Sequence, residues 1–276
     1  MDIRFQNSPK ETSEMNTAAL RSNFLVPGLF VADTIQLTYS HYDRVIIGGV
    51  QPVTATIDLP NEPELRAEYF LERRELGIIN IAGDGIVLAD GISFTVKKMD
   101  CLYLGKGTQT VQFKSIDKDA PASFYLLSAP AHQTYPNSLL TKAETSPVTL
   151  GDQSTANNRT IYKYIHLEGL KSCQLVMGLT VMANGSVWNT MPAHTHTRRM
   201  EAYFYFDVPA DHRVVHFMGE PTETRHLFMA NNEAVISPPW SIHSGCATAS
   251  YSFIWGMAGE NLVYSDMDPA PVTTLR

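Results

Sequence analysis

The residues best suited to chemistry lie together in one short stretch, MPAHTHTRRME. This stretch carries His194 and His196, one residue apart, followed by Glu201. In an extended strand, residues i and i+2 share a face, so both imidazoles would point the same way. A later segment, SPPWSIH, places a Pro-Pro turn ahead of His243. The pattern predicts that three imidazoles and one carboxylate converge on a common point.

Such a set of donors is typical of a divalent-metal site, because imidazole nitrogen and carboxylate oxygen are common metal ligands. The alternative is that the histidines are polar residues at a barrel rim and that Glu201 pairs with Arg198 or Arg199. The spacing and the strand context favour the metal. The chain has three widely separated cysteines, Cys101, Cys173 and Cys246. They form no CxxC pair, which argues against a disulfide framework and favours an open catalytic site over a closed structural one.

The bulk properties of the chain exclude several classes of function. Its 276 residues are 44% hydrophobic and 18% charged, and the net charge is -7. A negative chain is poorly suited to bind nucleic acid or an anionic membrane, since both reward a basic surface. No apolar run reaches the length of a membrane span, and the first residues lack the apolar core of a secretory signal. We expect a cytoplasmic protein with a small-molecule partner.

The hydrophobic pattern that must position these donors has a period of two, which is typical of β-strands. The predicted strands lie in residues 29–40, 44–57, 77–91, 173–183, 201–208, 212–219 and 250–257. Glycine, Asp-Gly and Asn-Gly turns separate these segments. The pattern predicts an all-β fold of antiparallel strands, a barrel or sandwich, with helix confined to short pieces such as residues 17–24.

The chain also divides into two similar halves. We predict an N-terminal barrel at residues 1–135, a Pro-, Ser- and Thr-rich linker at 136–160, and a metal-binding C-terminal barrel at 161–276. ERRELGIINIAGDG in the first half resembles TRRMEAYFYFDVPA in the second. If Glu75 is set against Glu201, then Glu68 and Phe70 occupy the positions of the histidine pair. The first barrel is therefore predicted to bind no metal.

The histidine and glutamate spacing resembles that of the cupin superfamily. Longer segments are similar to the 5-keto-4-deoxyuronate isomerase family, over nearly the whole chain. In the second half these segments are WNTMPAHTHTRRMEAYFYF, GEPTETRHLFM, NEAVISPPWSIHSG and FIWGMAGEN. In the first half they are LRSNFLV, VADTIQLTYSHYDRVIIGGV and YFLERRELGIINI.

This resemblance implies a bicupin, usually hexameric, that isomerises an aldose to a ketose in uronate and pectin breakdown. The implied reaction converts 4-deoxy-L-threo-5-hexosulose uronate (5-dehydro-4-deoxy-D-glucuronate) to 3-deoxy-D-glycero-2,5-hexodiulosonate. The family's metal, zinc, would be held here by residues at the matching positions. These positions are His194, His196, Glu201 and His243.

The remaining roles follow from what the reaction needs. A metal with open positions can stabilise an enediolate, a nearby base must move the proton, and a cation must hold the substrate carboxylate. Candidate proton shuttles are Glu223 and His226; candidate substrate-binding residues are Arg198, Arg199, Arg225, Tyr203 and Tyr205. Two rival functions stay open: a metal-dependent cupin dioxygenase, and a non-catalytic cupin that binds sugar.

Overall fold

Alternating apolar residues and frequent turns produce a chain of short strands with very little helix. The computed structural model describes all of residues 1–276. The strands pair in antiparallel fashion, except for the parallel pair formed by Asp2–Arg4 and Ile35–Ser40. The predicted all-β, cupin-like fold class is confirmed. None of the helices is both long and apolar enough to cross a membrane.

The elements are numbered in chain order. The strands are β1 Asp2–Arg4, β2 Leu25–Val26, β3 Ile35–Ser40, β4 Ile46–Val50, β5 Ile57–Asp58, β6 Arg74–Asn80, β7 Gly85–Ala89, β8 Ile92–Val96, β9 Cys101–Leu104, β10 Val111–Ser115, β11 Phe124–Pro130, β12 Ser138–Leu140, β13 Val148–Leu150, β14 Arg159–Ile165, β15 Val176–Met182, β16 Ala193–Thr195, β17 Arg199–Phe206, β18 Val214–Glu220, β19 Glu223–Met229, β20 Glu233–Ser237, β21 Ser244–Ala247, β22 Ser252–Gly259 and β23 Asp268–Ala270. The helices are α1 Pro9–Ser13 and α2 Thr17–Phe24, with 3-10 turns at Pro63–Leu65, Lys142–Glu144, Gln153–Thr155 and Val272–Thr274.

The predicted helix at residues 17–24 is confirmed, and local sequence explains where it begins. The Asn16 side chain accepts a hydrogen bond from the backbone N–H of Ala19 at 2.9 Å, which satisfies one of the free donors of the first turn. Leu20 and Phe24 are buried, so one face of this helix joins the core.

The two halves build matching sheets of seven strands. The first has the order β1-β3-β4-β11-β6-β9-β12, and the second has the order β13-β14-β15-β22-β17-β20-β2. Strands β6 and β17, which hold the two similar sequence segments, occupy the same place in their sheets. A four-stranded sheet, β5-β10-β7-β8, accompanies the first large sheet; a three-stranded sheet, β19-β18-β21, and the pair β16-β23 belong to the second half.

Each large sheet is completed at one edge by a strand from outside its own half. Strand β2 lies between β1 and β3 in the first half but pairs with β20 of the second large sheet. Strand β12 lies in the segment between the halves and pairs with β9 of the first large sheet. The division into residues 1–135, 136–160 and 161–276 stays a prediction, and strand β2 couples the two halves across it.

The two large sheets pack against each other through aromatic and glycine contacts. The rings of Tyr125 and Phe204 stack with centroids 4.7 Å apart. A Cβ atom at Gly256 would lie 2.1 Å from the Leu127 side chain, so a larger residue there would force Leu127 to move. The resulting core cluster contains 44 buried residues from both halves, whereas a second cluster of 17 fills the space inside the first half.

A buried carboxylate ties the two halves together at this interface. The Glu75 side chain accepts hydrogen bonds from the backbone N–H groups of Cys173, Gln174 and Leu175 at 2.7, 2.8 and 2.8 Å. It also accepts one from the Tyr103 hydroxyl at 2.7 Å. Because Glu75 is fully buried, these four donors replace the water that its charge would otherwise need.

The position of Glu75 corrects the alignment of the two repeats. Glu75 faces the other half of the chain, whereas Glu201 lines a cavity inside its own half. Leu76, the next residue, lies in the interior cluster of the first half. Setting Glu75 against Glu201 is therefore wrong, because the two face opposite ways, and Leu76 faces the interior of its own half as Glu201 does. The prediction that the first half binds no metal stays a prediction.

Replacing Glu75 by Gln tests its role as a bond between the halves. The amide group of the Glu75→Gln variant would turn an N–H donor toward backbone N–H groups that now donate to a carboxylate oxygen. We therefore expect the free energy of unfolding to fall by about 1–3 kcal/mol. Denaturant unfolding measures the difference. Glu14→Gln is the matched control, because Glu14 is exposed and should change stability by less than about 0.5 kcal/mol. Equal stability of the two variants would contradict this role.

Candidate metal centre and its cavity

The four predicted metal ligands come from separate elements of the C-terminal half. His194 lies in β16 and His196 directly follows that strand. Glu201 lies in β17, an interior strand of the sheet that pairs with β20 and β22. His243 stands immediately before β21. Strand β16 is held by pairing with β23 near the C-terminus, so the last residues of the chain fix the histidine pair.

The four side chains meet at one point. The His243 Nε2 atom lies 2.9 Å from the His194 Nε2 atom and 2.9 Å from a Glu201 carboxylate oxygen. The His196 Nε2 atom lies 3.1 Å from that of His194 and 2.9 Å from the same oxygen of Glu201. All four donor atoms lie within 4.8 Å of one another. The predicted convergence is present in the structure.

The surrounding hydrogen bonds orient the four side chains so that the lone pairs of their ligand atoms face one another. The His196 Nδ1–H donates to the Asp266 carbonyl oxygen at 2.7 Å, so in the neutral ring Nε2 is an acceptor directed at a carboxylate. Burial, followed by the charge of His243, lowers the pKa of His194 to about 3, which keeps that imidazole neutral. A cation shared by the four atoms would satisfy all of them, so the cluster fits a metal ion.

The ionisation of Glu201 also supports a metal site. Burial alone would raise the pKa of this carboxyl, but its Coulombic interaction with His243 and its hydrogen bonds with His196 and His243 lower the pKa below its usual range. Glu201 therefore stays ionised inside the protein. An ionised carboxylate beside three imidazole rings is a suitable ligand set for a divalent ion.

A loop near the C-terminus holds His196 in place through the arginine pair. Arg199 is buried and donates to the carbonyl oxygens of Val263 and Asp266, at 2.8 and 2.9 Å. The Asp266 side chain is paired with Arg198 at 2.7 Å. The same Asp266 carbonyl accepts from His196, so both arginines fix the group that orients this imidazole.

The N-terminal half also supports the ligand strand. The Asp43 carboxylate accepts a hydrogen bond from the backbone N–H of Met200 at 2.6 Å, beside Glu201. Sequence analysis missed both Asp43 and Asp266, because each is far along the chain from the ligand that it supports. Aspartates in turns are common, and nothing in the local sequence distinguishes these two.

A cavity of about 300 Å³ opens over the cluster. Its floor is the inner face of the second seven-stranded sheet, and nine of its 16 lining residues are hydrophobic. The lining residues are Leu150, Arg159, Ile161, Thr180, Thr190, Met191, Pro192, His194, His196, Glu201, Tyr203, Phe253, Trp255, Met257, Tyr264 and Met267. A mostly apolar cleft with a few convergent polar groups is the usual form of a small-molecule site.

The predicted tyrosines occupy different places. Tyr203 lines the cavity, and its hydroxyl lies 2.9 Å from the Thr190 hydroxyl. Burial, followed by the charge of Glu201, raises the pKa of Tyr203, so its hydroxyl stays protonated. Tyr205 is outside the cavity wall, where its hydroxyl lies 2.8 Å from Nδ1 of the buried His216.

The remaining predicted residues lie outside the cavity wall. Glu223 and His226 are exposed on β19, and Arg225 of the same strand pairs with Glu223 at 2.6 Å. Arg198 and Arg199 contact the supporting loop and do not line the cavity. The roles of these residues toward substrate stay predictions. Arg159 lines the cavity instead, and sequence reasoning did not single it out.

Comparison with known proteins gives a consistent result over the whole chain. Residues 27–271 match the KduI/IolB family. The chain is 52% identical over 276 residues to the 4-deoxy-L-threo-5-hexosulose-uronate ketol-isomerase of Shouchella clausii, and 53% identical over 278 residues to that of Yersinia pestis. In both comparisons the match covers 100% of each chain.

A solved structure shares the fold at low sequence identity. An IolB-like protein from Salmonella typhimurium superimposes with a TM-score of 0.70 at 17% identity, over 88% of this chain and 95% of that one. This similarity concerns the fold alone.

Removing one imidazole tests the metal centre. We expect wild-type protein purified without chelators to carry about one metal ion per chain, and His196→Ala to lose nearly all of it, since the site is left with too few ligands. Elemental analysis measures the content. His132→Ala, at an exposed position, is the control and should keep its metal. Full metal content in His196→Ala would contradict the assignment.

Replacing Arg199 by Gln tests the support of His196. The variant loses the donors that hold the Asp266 carbonyl, and we expect metal affinity to fall by roughly 10- to 100-fold while all four ligands remain. Competition with a chromophoric chelator measures the affinity. Arg213→Gln removes an exposed guanidinium and should not alter it. If both variants bind metal as wild type does, Arg199 has no positioning role.

Proposed function

The chain belongs to the KduI/IolB family, and from that premise we propose that it is a metal-dependent ketol-isomerase. Its substrate is 4-deoxy-L-threo-5-hexosulose uronate, the compound in the names of its full-length relatives. The observation that carries the proposal is the convergence of His194, His196, Glu201 and His243 beneath a small cavity. The four ligands leave the side of the site that faces the cavity open to a substrate, as a catalytic site requires.

The reaction moves a hydrogen between two neighbouring carbons and needs no redox partner. The aldehyde carbon becomes a hydroxymethyl group, and the hydroxyl on the next carbon becomes a ketone. A divalent ion bound by the four ligands, for which we propose zinc, would supply Lewis acidity toward the two oxygens on these carbons. Zinc is consistent with a nitrogen and oxygen ligand set that includes no thiolate.

The protein's own groups bind and orient the substrate. The Tyr203 hydroxyl stays protonated and lines the cavity, so it can donate a hydrogen bond to a substrate oxygen as negative charge develops. Trp255, Phe253 and Met257 form an apolar floor that excludes water. Glu223 and His226 remain proposed proton shuttles, and their exposed positions on β19 would have to approach the substrate for that role.

Two further features are proposals. We propose a cytoplasmic location and assembly into homo-oligomers, the hexamer that the family resemblance implies. Light scattering at micromolar concentration measures the second, and a monomer would contradict it.

Turnover in the absence of molecular oxygen distinguishes an isomerase from a dioxygenase and from a sugar-binding protein. We expect purified protein to convert the deoxyhexosulose uronate equally well in air and under argon, and a chelator to abolish the activity, because the metal acts as a Lewis acid and not as an oxygen activator. Chromatographic detection of the ketose measures conversion. Activity that requires oxygen would indicate a dioxygenase, and binding without turnover would indicate a sugar-binding protein.

Isomerisation in D₂O tests how the hydrogen moves. If a base removes the proton and exchanges it with solvent, the new hydroxymethyl carbon of the product carries deuterium at early conversion. Mass spectrometry and NMR measure the incorporation. Product free of deuterium would contradict transfer through a solvent-exchanging base.

A further inference from the structure

One side of the cavity carries a single guanidinium. Arg159, at the start of β14, is the only arginine or lysine among the 16 lining residues. Apart from the ligands and a few hydroxyls, the wall around it is largely apolar. In such surroundings a charge interacts more strongly than it does in water, so this residue dominates what the cavity can bind at that side.

Most of the donors of Arg159 have no protein partner. Arginine carries five N–H donors, and the only protein acceptor of the Arg159 guanidinium is the Asn157 carbonyl oxygen, 2.9 Å from Nη1. No carboxylate forms an ion pair with this guanidinium, whereas Arg198 and Arg225 both pair with acidic side chains. The residue is half-buried, so it is partly removed from water without a counter-charge.

The other arginines near the site have partners that occupy them. Arg199 donates to backbone carbonyls of the supporting loop, and Arg198 donates to two aspartates of the same region. Arg225 pairs with Glu223 on the far strand β19. None of these three lines the cavity. A carboxylate that entered the cavity would therefore meet Arg159 and no other guanidinium.

The sheet places Arg159 and the metal ligands at different ends of the cavity wall. Strands β15 and β22 lie between β14 and β17, and the register also offsets the two positions along the strands, because Arg159 pairs with Met182 of β15 whereas Glu201 is level with Val176. Both positions line the same cavity, so an extended acid can contact both ends of it. In a hexulose uronate the reacting carbonyl and the carboxylate lie at opposite ends of the chain, as this arrangement requires.

We propose that Arg159 binds the carboxylate of the substrate and makes the cavity selective for acidic sugars over neutral ones. This inference rests on the proposed function for the identity of the acid, but the carboxylate specificity is a separate property of the cavity. A guanidinium with free N–H groups can bind both oxygens of a carboxylate in bidentate geometry.

The test compares Arg159→Gln, Arg159→Lys and the control Arg213→Gln, which loses an exposed guanidinium elsewhere in the same half. Calorimetric titration with D-glucuronate and with D-glucose measures the preference for the acid in each protein. Kinetics with the deoxyhexosulose uronate give KM and kcat, and elemental analysis shows whether the metal is retained.

We expect Arg159→Gln to lose the preference for glucuronate and to raise KM by roughly 10- to 100-fold, with unchanged metal content. Arg159→Lys should recover part of both, because it restores the charge without the bidentate geometry. Arg213→Gln should behave as wild type. Wild-type KM and wild-type preference in Arg159→Gln, or a wild type that does not prefer the acid, would overturn the inference.

The outcomes separate this inference from the proposed function. If wild-type protein fails to isomerise the uronate but still prefers glucuronate in a manner that depends on Arg159, the isomerase proposal fails and the carboxylate site stands. If the protein isomerises the uronate and Arg159→Gln changes neither KM nor preference, the isomerase proposal stands and the carboxylate site fails.

Discussion

Placing three imidazoles and a carboxylate within 4.8 Å of one another is the constraint on which the C-terminal half depends. Three of these four side chains are buried, so they are held away from water in a group that a shared cation would satisfy. Each must also be kept from rotating away. Buried Arg199 and the Asp266 carbonyl do this for His196, and β-pairing does it for the strands that carry His194 and Glu201.

The N-terminal half meets a different need with the same architecture. Its strand β6 takes the place of β17 but presents Leu76 to its own interior and Glu75 to the neighbouring half. The two strands thus carry their buried carboxylates on opposite faces, Glu201 toward the cavity and Glu75 toward the other half. Asp43 extends this support to the backbone of Met200, next to Glu201. The edge strand β2 adds to this support, since the second large sheet is not complete without a strand from the first half.

Sequence patterns predicted the features that depend on local spacing. The period of two predicted the strands, and the helix predicted at residues 17–24 begins after the Asn16 cap. The HxH and Pro-Pro segments predicted three imidazoles and one carboxylate that do converge. Features that depend on long-range pairing were missed. A similar sequence segment with one residue inserted before its glutamate made Glu75 look equivalent to Glu201, because alternation alone cannot tell which face of a strand a neighbouring sheet will cover. The predicted strand at residues 29–40 begins only at Ile35, after Gly28 and Asp33 adopt positive φ.

Charge explains why position in the fold matters more than the number of arginines near the ligands. The chain has a net charge of -7, so an acidic substrate gains nothing from the overall field, and distant charges are screened beyond about 10 Å. Binding then depends on charges inside the cavity, where the proposed divalent ion and Arg159 together would outweigh Glu201. Arg198 and Arg199 are adjacent to the ligands in sequence, yet aspartate side chains and backbone carbonyls already occupy them. Arg159 reaches the same cavity only because β14, β15, β22 and β17 lie side by side.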